Sequence, residues 1–165
     1  MASLRFLATA ARRAPSTISL SKRGYAVAAD KISLSFVMPH QAIFTSTEVV
    51  QVNTPSATGD MGILANHVPT VEPLRPGVVE VIEATGGPSK KWFVSGGFAT
   101  VHPGSKLTIN VIEAAPLADF SAEAVRTNLS EAKKVVAGNG SVEDKAEAQI
   151  EADVYEALQY ALSKK

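Results

Sequence analysis

The chain has 165 residues, 45% of them hydrophobic, with 16 basic and 16 acidic side chains, enough to bury one sizeable core and too apolar for disorder of the whole. It has no cysteine, which excludes disulfides, thiolate metal sites and cysteine nucleophiles, and no apolar run approaches the roughly 18 residues needed to cross a bilayer. The formal charge of zero hides an asymmetry: residues 1–25 carry five basic side chains and no acid, and the remainder is acidic and lacks the basic, aromatic-rich stripe of a nucleic-acid binder.

Residues 1–25 are rich in Arg, Ser and Ala, and Leu4, Leu7, Ala8 and Ala11 fall on one helical face beside Arg5 and Arg12. This is the pattern of a mitochondrial transit peptide, and Arg12 and Arg13 interrupt the apolar run too early for a secretory signal. Arg23-Gly24-Tyr25-Ala26 resembles a matrix processing site, with cleavage expected after Tyr25.

From Ile32 to about Pro116 the apolar period is two. Ile32, Leu34 and Phe36 alternate with Ser33 and Ser35, Val50 and Val52 with Gln51, Val79 and Val81 with Glu80, and Leu107, Ile109 and Val111 with Thr108 and Asn110. Turn signals recur at Met38-Pro39-His40, Thr54-Pro55-Ser56, Thr85-Gly86-Gly87-Pro88 and His102-Pro103-Gly104. Short strands with no helical period between them predict an antiparallel sandwich or barrel over residues 30–116.

Within this region Thr58–Gly77, TGDMGILANHVPTVEPLRPG, is the most constrained stretch. Gly59, Gly62 and Gly77 permit positive φ or close backbone approach, while Pro69, Pro73 and Pro76 fix φ and remove donors, which predicts a stiff, shaped loop. Ile63 and Leu64 are adjacent and so point to opposite faces of any strand, placing one of them in the core.

After Pro116 the period becomes helical. Ala122, Val125, Leu129, Ala132 and Val136 form one stripe, with Ser121 as N-cap and Gly138 as stop; Ala146, Ile150, Val154, Leu158 and Ala161 form a second, opened by a Ser141/Asp144 capping box. An antiparallel helical hairpin over 119–163 follows, too thin to stand alone and expected to lie on the β domain or on another protein. Its acidic side chains, Glu143, Asp144, Glu147, Glu151 and Glu156, read either as a solvated face that favours the helix N-terminus or as a landing surface for a basic partner.

The run Gly59-Asp60-Met61-Gly62-Ile63-Leu64-Ala65-Asn66-His67-Val68-Pro69, then Leu74-x-Pro76-Gly77, and the later block Val94-Ser95-Gly96-Gly97-Phe98 resemble the delta/epsilon family at the foot of the central stalk of rotary ATP synthase. The match covers about residues 30–163, and the leader points to the mitochondrial branch. The resemblance implies a sandwich of about ten short strands followed by a helical hairpin. It also implies a non-catalytic rotor part of the proton-translocating enzyme, on the matrix side of the inner membrane, linking the c-ring to the gamma shaft. Its implied partners are the gamma subunit, the c-ring and a small mitochondrial epsilon subunit over the hairpin, with membrane association only through the c-ring. By the same resemblance the ring-facing surface lies around Asp60, Met61, Asn66 and His67, held by the structural loop residues Gly59, Gly62, Pro69, Pro76 and Gly77.

No cofactor is expected. His40, His67 and His102 have no metal-ligand spacing, and neither Gly86-Gly87-Pro88-Ser89-Lys90 nor Gly104-Ser105-Lys106 fits a phosphate loop. Ala122-Glu123-Ala124-Val125-Arg126-Thr127 keeps only part of the Ile/Leu-Asp-x-x-Arg-Ala motif by which bacterial relatives bind ATP, and Glu123 and Arg126 read more simply as an i,i+3 surface pair. Two other functions remain open from the residues alone: a small matrix enzyme on a β-sandwich scaffold, using His67 with Asp60 and Glu72, and an adaptor that binds ATP through the hairpin.

Overall fold

The structure, a computed structural model, describes residues 31–164. The leader and processing site expected from residues 1–26 lie outside the described residues.

Ten strands follow in order: β1 (Ile32–Val37), β2 (Ala42–Val49), β3 (Gln51–Ser56), β4 (Gly59–Leu64), β5 (Thr70–Leu74), β6 (Gly77–Ile82), β7 (Ser89–Val94), β8 (Gly97–His102), β9 (Lys106–Val111) and β10 (Ala114–Pro116). They pair in the order β10-β7-β6-β3-β5-β8-β9-β1-β2, with β4 on the outer side of β3. The β3–β5 ladder is a single pair, Ser56 opposite Leu74, so the sheet folds over at that corner into two layers. Phe36 and Phe44 of one layer meet Trp92 of the other edge-on, with centroids 6.1 and 5.2 Å apart. Ile32, Leu34, Val52, Ile63, Val79, Val81, Leu107 and Ile109 fill the space around them, which are the inward positions of the period-two pattern.

One pairing departs from an antiparallel sandwich: β1 and β9 run parallel, from Ser33 opposite Lys106 to Val37 opposite Asn110. Parallel neighbours need a long connection, and here the whole intervening domain supplies it.

The Thr58–Gly77 run is more regular than a loop. It contains β4 and β5 entire and the first residue of β6, and its prolines fall at strand margins or on an outward position. Of its three glycines only Gly59 has positive φ, at 140°. Gly77 is needed for close approach instead, because a Cβ there would lie 2.7 Å from the Cβ of Pro55. The β3–β6 ladder ends at Asn53 opposite Glu80, short of Pro55, which has no N–H to extend it.

A 3-10 turn (Leu117–Asp119) leads into α1 (Ala122–Ala137) and α2 (Val142–Ser163). Ser121 caps α1 by accepting from Ala124 N, and Ser141 and Asp144 form the reciprocal capping box of α2. Gly138 ends α1 with φ −75°, so it stops the helix without using a left-handed conformation. The hairpin docks on β6 and β7: Phe93, Leu117, Val125, Leu158 and Ala161 form a second apolar cluster, with Phe120 edge-on to Phe93.

The α1–α2 seam is Leu129 and Ala132 against Ala152, with Tyr155 alongside. Ala148 is buried as well, whereas Ala146 and Ile150, expected inward, are exposed, Ile150 by 66%. The reason is geometric. Each step of four residues rotates about 40° around the helix, so the row 146-150-154-158 leaves the solvent side and arrives in the cluster on the β domain, away from the Leu129–Ala132–Ala152 seam.

Candidate partner interface

The strand register gives the sandwich two ends. Ser56, Gly59, Leu74, Gly77, Val94 and Gly97 lie at the end that carries the hairpin; Ile32, Gln51, Leu64, Thr70, Ile82 and Lys106 lie at the far end. The four residues expected to share one surface are divided between them. Asp60 and Met61 open β4 at the hairpin end, while Asn66 and His67 follow its last residue at the far end, about 20 Å away at the rise of a strand.

At the hairpin end, Asp60 is paired with Arg75 (Nη2 to Oδ1, 2.6 Å). Arg75 also donates through Nε to Ser56 O (3.3 Å) and through its backbone N to Pro55 O (3.0 Å), so it staples the β3–β4 turn to the β5–β6 corner. Beside it, Glu72 accepts from the hydroxyls of Ser56 and Thr70, at 3.1 and 3.3 Å. Met61 points inward, half-buried against the main core.

At the far end, Asn66 takes a left-handed φ of 62°, its N–H donates to Ser105 Oγ (2.9 Å), and Ser105 O accepts from Ser33 N (2.9 Å). The 64–70 connection is thereby fastened to the β8–β9 turn, whose Gly104 and Ser105 both have positive φ. His67 Nδ1 donates to Val68 O at 2.9 Å, which fixes its tautomer, because a carbonyl can only accept. Pro69 precedes the first residue of β5, and Pro76 the first of β6, positions where a missing N–H breaks no ladder.

Between the two ends β4 is, among the described residues, an edge strand paired only with β3. Asp60, Gly62 and Leu64 face outward and Ile63 is fully buried, as adjacent apolar residues on a strand require. Gly62 stands opposite Asn53 without positive φ; a Cβ there would lie 3.2 Å from Asn53 Oδ1. It leaves room for a polar row across the sheet. Gln51 Nε2 donates to Asn53 Oδ1 (2.7 Å), Asn53 Nδ2 donates to Glu80 Oε2 (2.9 Å), and Lys91 Nζ lies 3.8 Å from Glu80 Oε1. The Ser89 hydroxyl and then the Asn53 amide hold the Glu80 carboxyl below its ordinary value, against a smaller opposing effect of burial, and Lys91 adds to the lowering.

Sequence reasoning missed Arg75 and Ser105, the two braces, because neither has a periodic or motif signal. It also missed an apolar outer face on β5 and β8, where Val71 (63% exposed), Pro73 and Phe98 (55% exposed) stand together. The signal was present: Phe98 occupies the outward phase of a strand whose inward phase is Ala99 and Val101. Glu123 and Arg126 do not pair with each other; Arg126 lines an open groove with Glu156, Gln159 and Tyr160. Among the described residues no cluster of three or more His, Asp or Glu side chains could hold a metal ion. No described helix is long and apolar enough to cross a membrane.

Residues 31–116 match the family described as ATP synthase, Delta/Epsilon chain, beta-sandwich domain. The chain is 66% identical over 164 residues to ATP synthase subunit delta, mitochondrial, of Agaricus bisporus, covering 99% of this chain and 100% of that one. It is 56% identical over 165 residues to the protein of the same description from Neurospora crassa, covering 98% and 99%. Among solved structures it is similar to a chain of the Euglena gracilis mitochondrial ATP synthase, OSCP/F1/c-ring in rotational state 1, with a TM-score of 0.77, 30% identity, and 85% and 86% of the two chains covered.

Proposed function

The chain belongs to the delta/epsilon family of ATP synthase, and from that premise we propose that its braced sandwich is the coupling between the c-ring and the gamma shaft. It is a non-catalytic, structural subunit of the central stalk of mitochondrial ATP synthase, peripheral to the inner membrane on its matrix side.

The observation that carries the coupling reading is the bracing of both ends of β4. Proton translocation supplies about 2.3 kcal/mol per charge per 100 mV, which must cross the stalk as torque. A surface ion pair such as Asp60–Arg75 is worth at most about 1 kcal/mol and cannot bear that load alone. The ten-strand backbone ladder carries the torque, and Arg75 and Ser105 keep its exposed edge from peeling. The c-ring loops then meet the line Asp60, Gly62, Leu64, Asn66 and His67 along that edge, with Met61 anchoring it to the core. The gamma shaft meets the apolar face of Val71, Pro73 and Phe98. A small epsilon subunit covers the outward stripe of Val142, Ala146 and Ile150, flanked by Glu143, Glu147 and Glu151, a chemistry that suits a basic amphipathic helix.

The test is reconstitution with separately tagged gamma subunit and c-ring. Phe98→Ser is expected to weaken gamma capture with the c-ring contact kept, and Leu64→Asp to do the reverse. Equal capture by both variants and the unaltered chain would refute the assignment of faces.

A further inference from the structure

The turn between the two helices contains the one Asn-Gly dipeptide of the chain, Asn139-Gly140. Both residues are exposed, and among the described residues neither the N–H of Gly140 nor that of Asn139 has a hydrogen-bond partner, whereas the flanking Gly138 N donates to Val135 O and Ser141 N to Asp144 Oδ2. From this we propose that Asn139 is a site of spontaneous deamidation.

The step needs only water. The Gly140 amide loses its proton to solvent base, and its nitrogen attacks Cγ of Asn139, forming the N–Cγ bond of a five-membered succinimide. The C–N bond of the side-chain amide breaks, and ammonia leaves with a proton from solvent. Water then opens the ring at either carbonyl. Opening at Cγ leaves an ordinary aspartate at position 139, and opening at the backbone carbonyl leaves an isoaspartyl linkage, which routes the main chain through the former side chain.

The other asparagines are protected by their surroundings. Asn53, Asn110 and Asn128 lie inside β3, β9 and α1 and are followed by Thr54, Val111 and Leu129, whose side chains crowd the attacking nitrogen. Asn66 is followed by His67, whose N–H is already given to Leu64 O at 3.2 Å. Gly140 offers neither obstacle, since it has no Cβ and its N–H is unengaged.

The product changes the hairpin tip in two ways. It sets a new carboxylate two residues before the Ser141 cap of α2, whose first turn already carries Glu143 and Asp144. In its isoaspartyl form it also lengthens by one methylene the short connection between the Gly138 cap of α1 and the Ser141 cap of α2. An old molecule therefore carries a mark at the end of the hairpin farthest from the sandwich.

The experiment ages the purified full chain at neutral and at mildly alkaline pH and maps its peptides by mass spectrometry, with protein isoaspartyl methyltransferase labelling as the second readout. The peptide containing residue 139 is expected to gain one mass unit, with isoaspartate the larger product and a rate that rises in proportion to hydroxide. Gly140→Ala should slow the change by at least an order of magnitude. That variant keeps the fold, because the added Cβ meets Asp144 at 3.5 Å, an ordinary contact. Asn139→Gln should abolish it. An unchanged Asn139 peptide, faster conversion at Asn66 or Asn110, or an equal rate in Gly140→Ala would each overturn the proposal.

Discussion

Gly97→Ala tests most directly whether the second layer of the sandwich is as unyielding as a torque-bearing element requires. Gly97 opens β8, opposite Leu74 of β5 and Val111 of β9. Its φ is 153°, and an added Cβ would fall 2.1 Å from Asn110 O and 2.8 Å from Val111 Cα. Both obstacles are backbone, and Asn110 is pinned from behind by its parallel pairing with Val37 of β1, so β9 cannot retreat without breaking a second ladder. Forcing an L-residue into this region costs on the order of 1–3 kcal/mol, and the overlap adds a similar amount, for a total of about 3 kcal/mol or more.

Gly104→Ala is the control. Gly104 also has positive φ, 78°, but a Cβ there meets nothing within 4 Å, so only the dihedral cost of about 1–2 kcal/mol remains. Trp92, the single tryptophan, sits between Phe36 and Phe44 and reports the melting of the sandwich. In a thermal melt followed by its emission, Gly97→Ala is expected to lower Tm by about 10 °C and Gly104→Ala by a few degrees. A shift for Gly97→Ala no larger than that of the control would show that β9 yields, and the claim of a rigid layer would fall.

Leu158→Ala removes the centre of the cluster that docks the hairpin and should cost the docking about 2–4 kcal/mol; proteolysis within residues 117–121 should speed up while Trp92 emission stays native. Glu80, whose folded pKa is lowered, contributes stability that is present above its ordinary value of 4.5 and lost as the pH falls through its folded pKa. The stability gap between the unaltered chain and Glu80→Gln, measured by urea unfolding, should therefore be widest near neutrality and close in acid, and a gap independent of pH would contradict it. Gly62→Val should disturb the Gln51–Asn53–Glu80 row through contact, since φ there is ordinary; pairing it with Asn53→Ala, which removes the obstructing amide, should recover a good part of the loss in Tm.

The architecture was legible in the sequence because its signals are local. Alternation in Ile32–Phe36 or Leu107–Val111 follows from a two-residue repeat facing one core, and Ser141 with Asp144 closes a box only three residues wide. What was not legible depends on pairing between distant segments. Asn66 and Ser105 are 39 residues apart and meet only because β5 and β9 flank β8; no local pattern in either segment announces the bond. The same limit misplaced Gly62. A glycine beside a turn suggests positive φ, but here it faces Asn53 across a ladder whose register is set by the β3–β4 turn, and what it avoids is a side chain. The candidate surface was compressed for a related reason: eleven residues that read as one loop include a full strand, and a strand carries its two ends apart.

That separation favours a line of contact over a point. A cluster of four side chains in one loop would concentrate the load on groups individually worth about 1 kcal/mol, most of it lost to solvent and salt. Along β4 the outward positions Asp60, Gly62 and Leu64 and the following Asn66 and His67 lie on an edge whose inner side is held by Ile63 in the core and by the full register with β3. Displacing such an edge means shearing a ladder of six residue pairs together with the staples at Arg75 and Ser105, and those costs add because the elements move as one. Gly62 suits such an edge in a second way, because its missing side chain admits the Asn53 and Gln51 amides, so the outer face of β4 is backed by the polar row that runs on to Glu80.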